Sequence, residues 1–327
     1  MLNLVAISDP IIDTHVQIAD DCIEACVVQQ KDMQLCFDYG QKIPIVDSFQ
    51  SLGGNAPNVA LAIVKLGLKS AILGAVGRDA YGKLAVQELK KNKVDTSCVT
   101  LDPKHKTRYS IVLNYRSERT ILAYSDEKNY RWPKKFPATT WVYYAGLSKG
   151  YEAIQKKLLT HLKKNPGVRL AVNPGSYMLK YALEDLRQIA TRADVLIVNL
   201  EEAEKIVGII KDKKSPAALL QALLAHGSKE VVVTDGSLGA WAGDARGIWH
   251  LEAFPVPVIS KTGAGDAFSA AYLAARTAGH SLPQALQWGT ANSSGVIGEH
   301  GPHAGLLNVK GIKKMIKKFA AIKATKV

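Results

Sequence analysis

The sequence predicts an α/β protein built as a three-layer sandwich, with a mostly parallel central sheet and a small β-sheet lid. Short runs rich in β-branched residues alternate with longer stretches of helical periodicity, which is the pattern of consecutive βαβ units. Two segments show hairpin patterning instead, as in antiparallel sheets with one exposed face. The 327 residues are 47% hydrophobic and 22% charged. That composition suffices for one large core or two smaller ones.

The central sheet is predicted from short buried runs that end in polar or glycine-containing turns. These strands cover residues 4–7, 71–76, 142–145, 170–173, 195–199 and 231–234. The stretches between them have the length and apolar spacing of helices. The predicted helices cover residues 58–66, 83–92, 152–164, 216–226 and 266–278.

The lid is predicted from two segments that break this alternation. Residues 107–113 and 120–124 are extended runs separated by a turn-like stretch, which is typical of a hairpin. Together with an earlier irregular segment, this hairpin would form a small sheet that covers a cleft. We therefore expect a core of residues 1–13, 47–106 and 125–327, with residues 14–46 and 107–124 inserted as the lid.

The bulk composition argues against several classes of protein. No apolar stretch approaches the roughly 18 to 20 residues of a membrane span, and the N-terminus lacks the basic region and cleavage site of a signal peptide. Four cysteines in a chain of this length are too few for a disulfide framework. We therefore expect a soluble, cytoplasmic protein without a membrane partner.

The net charge of +13 raises nucleic acid or an anionic small molecule as possible partners. Much of the excess lies in lysines near the C-terminus: Lys310, Lys313, Lys314, Lys317, Lys318, Lys323 and Lys326. Val309, Ile312, Ile316 and Phe319 fall at helical spacing among them, so we expect a terminal helix that docks one apolar stripe. An RNA-binding or membrane-surface tail is the alternative interpretation.

The segment 260–268, before the last long helical run, carries the strongest chemical signal. Small residues at Gly263 and Gly265 let the backbone approach a ligand, and the helix behind them offers N–H groups that stabilise negative charge. Asp266 could accept a proton from an attacking hydroxyl. The alternative is a tight loop with Asp266 as a helix cap.

Two further strand ends predict ligand contacts at the same edge of the sheet. Asn199 and Glu202 place an amide and a carboxylate within reach of a hydrated Mg²⁺, although the same pair would also form a helix capping box. Thr234 and the glycines that follow it stand at the end of another buried strand. Three strand ends thus point to one phosphate-handling cleft.

These motifs, in this order, resemble those of the ribokinase-like (PfkB) carbohydrate kinase family. Near the start, Gly53 and Gly54 open a Gly-Gly-x-x-x-Asn pattern that leads into a helix. The Asn-x-x-Glu, Thr-Asp-Gly and Gly-Ala-Gly-Asp motifs follow in sequence, and residues 301–306 fit the closing pattern. The resemblance spans nearly the whole chain and implies an ATP-dependent kinase that phosphorylates a sugar or sugar-like small molecule.

The resemblance assigns the reacting groups by position. Asp266 matches the catalytic base, and the backbone N–H groups of Gly263, Ala264 and Gly265 match the anion hole. Residues matching the nucleotide and Mg²⁺ side, the metal being organised through water, are Asn199, Glu202, Thr234, Gly236, Gly239, Thr262 and Asn292. Residues matching the substrate side are Asp13, Gly53, Gly54 and Asn58. The two lid segments match a lid that often also forms a homodimer contact.

The chain departs from the family pattern at Ser260. Members activated by potassium usually carry an Asp at this position, two residues before the Thr of the motif. The resemblance therefore gives no support for a monovalent cation here.

The substrate is left open among several classes. Basic lid residues that reach the cleft would favour an acidic or phosphorylated sugar: Lys42, Lys106, Arg108, Arg116, Arg119 and Arg131. Aromatic residues could instead stack on a nucleoside base or pack within the lid: Phe37, Tyr39, Tyr109 and Tyr124. We expect a sugar kinase, with a nucleoside (adenosine-type) kinase as the alternative. A non-catalytic or RNA-binding protein on the same fold is an alternative of another class.

Overall fold

A computed structural model describes residues 1–19, 24–29, 32–37, 39–115, 118–208 and 215–327. Its strands are β1 Leu2–Ile7, β2 Ile11–Ile18, β3 Glu24–Gln29, β4 Asp32–Cys36, β5 Ile45–Gly53, β6 Ser70–Gly77, β7 Asp95–Asp102, β8 Tyr109–Tyr115, β9 Glu118–Tyr124, β10 Thr139–Tyr144, β11 Arg169–Val172, β12 Val195–Asn199, β13 Val231–Thr234, β14 Ala240–Asp244, β15 Gly247–Leu251 and β16 Thr325–Lys326. Its helices are α1 Asn55–Lys65, α2 Ala80–Lys91, α3 Glu152–Lys164, α4 Ser176–Tyr181, α5 Leu183–Ala190, α6 Leu200–Val207, α7 Pro216–Ala225, α8 Ala264–Thr277, α9 Leu282–Ile297 and α10 Val309–Lys318.

The central sheet has ten strands in the order β16-β15-β14-β13-β12-β11-β10-β1-β6-β7. The strands from β13 to β7 in this order pair in parallel, and β14, β15 and β16 are antiparallel. Each predicted strand overlaps one of them. The predictions missed the edge strand β7, which begins with three polar residues as a loop would. They also missed the three antiparallel strands at the other edge.

Helices cover both faces of this sheet, which confirms the predicted three-layer α/β sandwich. One face packs against α1, α2, α8, α9 and α10, and the other against the helices from α3 to α7. Burial of both faces explains the continuous apolar runs of the parallel strands. All five predicted helices are present, with ends shifted by at most three residues.

A second sheet has the order β5-β2-β8-β9. The predicted hairpin is confirmed, because β8 and β9 pair antiparallel. Strands β3 and β4 form a separate two-stranded sheet. Residues 47–53, which the sequence assigned to the core, belong to β5 and pair with β2 in this second sheet.

The C-terminal helix α10 buries Ile312 and exposes its lysines. It docks against α9 through one apolar stripe, as the helical spacing predicted. Over the described ranges, no helix combines the length and apolar character that crossing a membrane would require.

Candidate active site

The carboxyl ends of β12 and β13 lie side by side at one edge of the central sheet. Asn199 is the last residue of β12, Thr234 is the last residue of β13, and the two are paired across the strands. A 3-10 turn over Gly236–Leu238 follows β13 after one intervening residue, Asp235. Ligands of parallel α/β sheets bind at this edge, so the predicted motifs of these two strands face one cleft.

The predicted anion hole lies where the backbone turns into α8. Gly263 is the N-cap of α8 and has a φ of +77°, in the left-handed region that favours glycine. A Cβ added at Gly263 would lie 2.6 Å from Cβ of Pro302, whereas a Cβ at Gly265 would point into open space. Thr262 precedes this turn, and its backbone N–H donates to Ser260 Oγ at 3.3 Å. N–H groups of a first helical turn can then face an anion.

Asp266 lies in the first turn of α8, where it is partly exposed to the cleft. Burial raises the pKa of Asp266, the negative charges of Glu202 and Asp13 add to this rise, and the resulting pKa is about 7. A hydrogen bond from Asn58 Nδ2 to Asp266 Oδ2, 2.7 Å long, acts in the opposite direction. The carboxyl group therefore exchanges a proton near neutral pH, which suits a general base.

His303 fixes the orientation of the Asn58 side chain. Its Nε2 lies 2.8 Å from Asn58 Oδ1, and because an amide oxygen only accepts, Nε2 carries the proton. Burial lowers the pKa of His303 to about 4, so the ring is neutral at pH 7. The amide nitrogen of Asn58 is thereby turned toward Asp266. Sequence reasoning missed His303, because residues 301–306 matched the closing pattern of the family without assigning a role to this side chain.

Asn199 and Glu202 form a reciprocal capping box at the start of α6. The backbone N–H of Asn199 donates to Glu202 Oε2 and that of Glu202 to Asn199 Oδ1, both at 2.9 Å. Burial raises the pKa of Glu202 to about 7. The capping interpretation that the sequence left open is thus what the contacts show. The same contacts also hold an amide and a carboxylate at the cleft.

A cavity of about 270 Å³ extends from the anion hole across the end of β13. Its walls include the predicted residues Asn199, Thr234, Gly236, Gly239, Ala264 and Gly265. They also include Thr290, Ser293, Ser294 and Ile297 on α9, which sequence reasoning missed. Their spacing of three and four residues places them on one helix face. This spacing is visible in the sequence and is the signal that could have identified them.

Three of the predicted nucleotide-side residues do not line this cavity: Glu202, Thr262 and Asn292. Asn292 is the one of them that is fully enclosed by the protein. It is 0% exposed. Its Nδ2 donates to the Ala267 carbonyl at 2.8 Å, and its Oδ1 accepts from the Leu307 N–H at 2.9 Å. Both ends of the amide are therefore satisfied by backbone groups, so Asn292 ties α9 to α8 and to the closing segment.

The predicted substrate-side residues converge on the junction between the two sheets. Asp13 lies on β2, opposite Ser51 of β5, and a Cβ at Gly53 would overlap the Asp13 carboxylate. Gly54 has a φ of +100° and caps α1, whose first turns carry Asn58. Burial raises the pKa of Asp13, against the opposing charges of Arg108 and Arg119. Because Asp13 and Asn58 both act on the pKa of Asp266, these groups share one site.

Two of the six basic lid residues approach this site. Arg108 lies 3.7 Å from the Asp9 carboxylate, and Arg119 is close enough to act on the pKa of Asp13. Arg116 lies outside the described residues. Among the aromatic residues, Tyr109 and Tyr124 stack on each other with ring centres 5.2 Å apart. These two rings therefore pack within the lid, which is one of the two roles that the sequence left open. Tyr39 is fully exposed.

The donors around Glu202 fit a hydrated Mg²⁺ better than a directly ligated metal. In the described part of the chain, no three His, Cys, Asp or Glu side chains are grouped so that they could hold a metal ion. Glu202 and Asn199 offer oxygen donors at the cleft, and Mg²⁺ commonly keeps several waters and binds substrate phosphates. The residues present therefore fit a magnesium ion carried by a nucleotide.

Comparison with protein families gives a match over most of the chain. The model described as pfkB family carbohydrate kinase matches residues 21–308. A 5-dehydro-2-deoxygluconokinase from Clostridium perfringens is 25% identical over 288 residues, covering 82% of this chain and 84% of its own. An ATP-dependent 6-phosphofructokinase from Thermoanaerobacterium thermosaccharolyticum is 24% identical, covering 85% of this chain and 88% of its own.

Solved structures agree with the fold. An Arabidopsis thaliana ribokinase complexed with ribose and ATP superposes with a TM-score of 0.77 at 20% sequence identity. The match covers 97% of this chain and 99% of that one. The shared fold includes the mostly parallel sheet and the separate smaller sheet.

Proposed function

The chain belongs to the pfkB family of carbohydrate kinases, and we propose that Asp266 is the base with which it transfers the γ-phosphate of ATP to a sugar hydroxyl. One observation carries this assignment. Asp266 stands in the first turn of α8, beside the anion hole, with its pKa raised to about 7 and its Oδ2 held by Asn58. A carboxylate there can accept a proton where a phosphoryl group would be stabilised.

The reaction is an in-line transfer. The sugar hydroxyl gives its proton to Asp266 while its oxygen forms a bond to the γ-phosphorus. The bond from that phosphorus to the β,γ-bridging oxygen breaks, and its electron pair leaves with ADP. The backbone N–H groups of Gly263, Ala264 and Gly265 stabilise charge on the transferring group. Asp13 and Asn58 orient the acceptor sugar.

The nucleotide binds in the cavity along β13 and α9. Gly236 and Gly265, where an added Cβ would meet open space, leave room for the nucleotide to approach, and Thr234 offers a hydroxyl at the end of β13. Gly239 lines the same cavity, but a Cβ there would collide with the backbone of Leu251. A magnesium ion, held through water by Asn199 and Glu202, would neutralise phosphate charge when bound. It would also lower the pKa of Glu202, since a nearby cation favours the ionised carboxylate.

We propose a homodimer formed through the lid, acting in the cytoplasm. Strands β5 and β9 are the two edges of the lid sheet, and edge strands readily pair with another chain. Ile45, Val46 and Leu122 on these strands are each more than half exposed, which favours association. Light scattering of the purified protein would give twice the monomer mass, and a monomer mass at assay concentration would contradict the dimer.

The assignment of Asp266 is tested with the Asp266→Asn variant. ADP release is measured over ribose, fructose, fructose 6-phosphate, ketodeoxygluconate and nucleosides. We expect turnover to fall by about 10³-fold or more while ATP affinity is retained, because the variant loses the base and keeps the shape. The exposed Asp95→Asn is the matched control. Near-normal turnover in Asp266→Asn would refute the assignment.

The same panel separates the remaining functions. Turnover of nucleosides alone would favour the nucleoside kinase. No turnover with any compound, together with tight and salt-sensitive RNA binding, would favour the RNA-binding protein.

A further inference from the structure

A cavity of about 280 Å³ lies between the lid sheet and the loops that flank the anion hole. The lid contributes His15, Asn114 and Arg119 to its walls, and the loops contribute Ser260, Lys261 and His300. Lys261 directly precedes Thr262, and the wall residue Gly301 directly precedes the Pro302 that packs on Gly263. The cavity and the anion hole therefore share a wall.

Strand register makes this cavity an extension of the substrate side. His15 follows Asp13 by two positions on β2, and residues two apart on a strand point to the same face. Arg119 of β9 is paired with Asn114 of β8, which is paired with Gln17 of β2. The lid residues of the cavity thus share a face with Asp13. One strand repeat of about 6 to 7 Å, comparable with a hexose, separates Asp13 from His15.

The charge and donors of the cavity fit an anion. Arg119 and Lys261 are the basic Arg and Lys side chains of the cavity walls, and Asp47 is the acidic one. Burial and the charge of Arg119 lower the pKa of His15, and its ring stacks on Phe49 with centres 4.4 Å apart. The hydroxyl of Ser260 adds a hydrogen-bond donor, whereas the amide nitrogen of Asn114 donates to the carbonyls of Val16 and Val112. A guanidinium fork beside an ammonium group is suited to a carboxylate or a phosphate.

We infer that this cavity is an anion subsite and that the acceptor is a sugar bearing a carboxylate or phosphate group. The anionic group binds Arg119 and Lys261 while a hydroxyl of the same molecule reaches Asp266. This inference rests on the proposed kinase function. Neutral sugars fill the Asp13 side but offer no negative charge to Arg119 and Lys261, so neutral sugars bind more weakly.

The experiment compares charged and neutral acceptors in ADP release. Fructose 6-phosphate represents the phosphates, ketodeoxygluconate the carboxylates, and fructose and ribose the neutral sugars. We expect kcat/KM for at least one charged acceptor to exceed that of the neutral sugars by ~10-fold or more. Arg119→Gln and Lys261→Gln should each raise KM for that acceptor by ~10-fold or more, well beyond their effect on a neutral sugar. The preferred charged acceptor identifies which anion is bound.

The matched control is Lys106→Gln, because Lys106 is an exposed basic residue beside the lid that does not line the cavity. This variant should leave the preference for charged acceptors unchanged. Equal losses for charged and neutral sugars in Arg119→Gln and Lys261→Gln would overturn the subsite. A wild-type preference for neutral sugars would overturn it as well.

Binding to the Asp266→Asn variant separates failure of the subsite from failure of the kinase function. Calorimetry with fructose 6-phosphate and ketodeoxygluconate measures binding without turnover. If one of these compounds binds to Asp266→Asn and the additional Arg119→Gln substitution abolishes that binding, the result supports the subsite. This holds even if the wild type phosphorylates no acceptor. Absence of binding to either compound overturns the subsite, even if a neutral sugar is turned over.

Discussion

Asn58 donates from Nδ2 to Oδ2 of Asp266 across 2.7 Å, although 208 positions separate the two residues. The hydrogen bond stabilises the ionised carboxylate and so limits the rise in pKa that burial causes. The group that orients the acceptor in our proposal thereby also sets the pH at which the base is ionised.

His303 should control the pH profile through this bond. Replacement by Leu removes the donor to Asn58 Oδ1, so the amide can turn and the pKa of Asp266 rises. We expect the ascending limb of kcat/KM, centred near pH 7 in the wild type, to move to higher pH. Activity at pH 7 should fall by ~10-fold. His303→Gln retains an N–H donor and should shift less. If the ascending limb of kcat/KM stays at the same pH in His303→Leu, this would contradict the role of His303 in orienting Asn58.

Asp266 should lower the stability of the unliganded protein at high pH. Its folded pKa of about 7 lies above the ordinary value of 3.8, so the folded state binds more protons than the unfolded state between these pH values. Stability is present at low pH and lost as pH rises from about 4 to 7. Asp266→Asn should therefore raise Tm by ~2 °C or more at pH 8 and have less effect at pH 4. A destabilised variant at pH 8 would contradict this sign.

Gly263 and Gly265 should respond differently to replacement by alanine. Gly263→Ala meets a positive φ and the Pro302 ring, so we expect a loss of about 2 kcal/mol or more in unfolding free energy. Gly265→Ala places its methyl group in open space at the cavity. It should retain Tm while weakening ATP binding. Thermal melts and KM for ATP distinguish the two variants. Equal Tm values for Gly263→Ala and Gly265→Ala would contradict the expected difference in stability.

Asn292 should act on stability rather than on nucleotide affinity. Asn292→Ala leaves the Ala267 carbonyl and the Leu307 N–H without their buried partner. We expect a loss of about 2 kcal/mol or more in unfolding free energy. KM for ATP of the folded fraction should change little. Ser293→Ala, one position along the same helix and in the cavity wall, is the contrasting variant. Weakened ATP binding without loss of stability in Asn292→Ala would contradict this role.

The fold could be predicted because burial on both faces of the parallel strands leaves a strong pattern in the sequence. Runs such as Val231–Thr234 are short and apolar, and helices such as Glu152–Lys164 repeat apolar residues at their own period. Strands with one exposed face carry less of this signal. Asp95–Asp102 at the sheet edge begins with three polar residues and lacks a regular alternation, so propensity alone does not separate it from a loop.

The candidate site could be predicted only where chemistry depends on a local motif. Gly263 and Asp266 belong to one such motif, and the sequence predicted that both lie at the start of a helix. The partnership of Asn58 with His303 joins residues 245 positions apart, so local spacing contains no trace of it. Asn292 is the converse case: the motif identified the residue, but the motif did not predict its contacts. Those contacts are set by the packing of α8 and α9.

Strand β2 separates two kinds of evolutionary constraint within eight residues. Asp13, His15 and Gln17 point toward the cleft, while Val16 and Ile18 on the other face are buried in the small apolar cluster of the lid. Under the proposed function, substitutions at the first set would change which acceptor is recognised without disturbing the packing that the second set maintains. Related chains could therefore diverge in substrate choice by drifting at alternate positions of one strand while the lid itself is inherited intact.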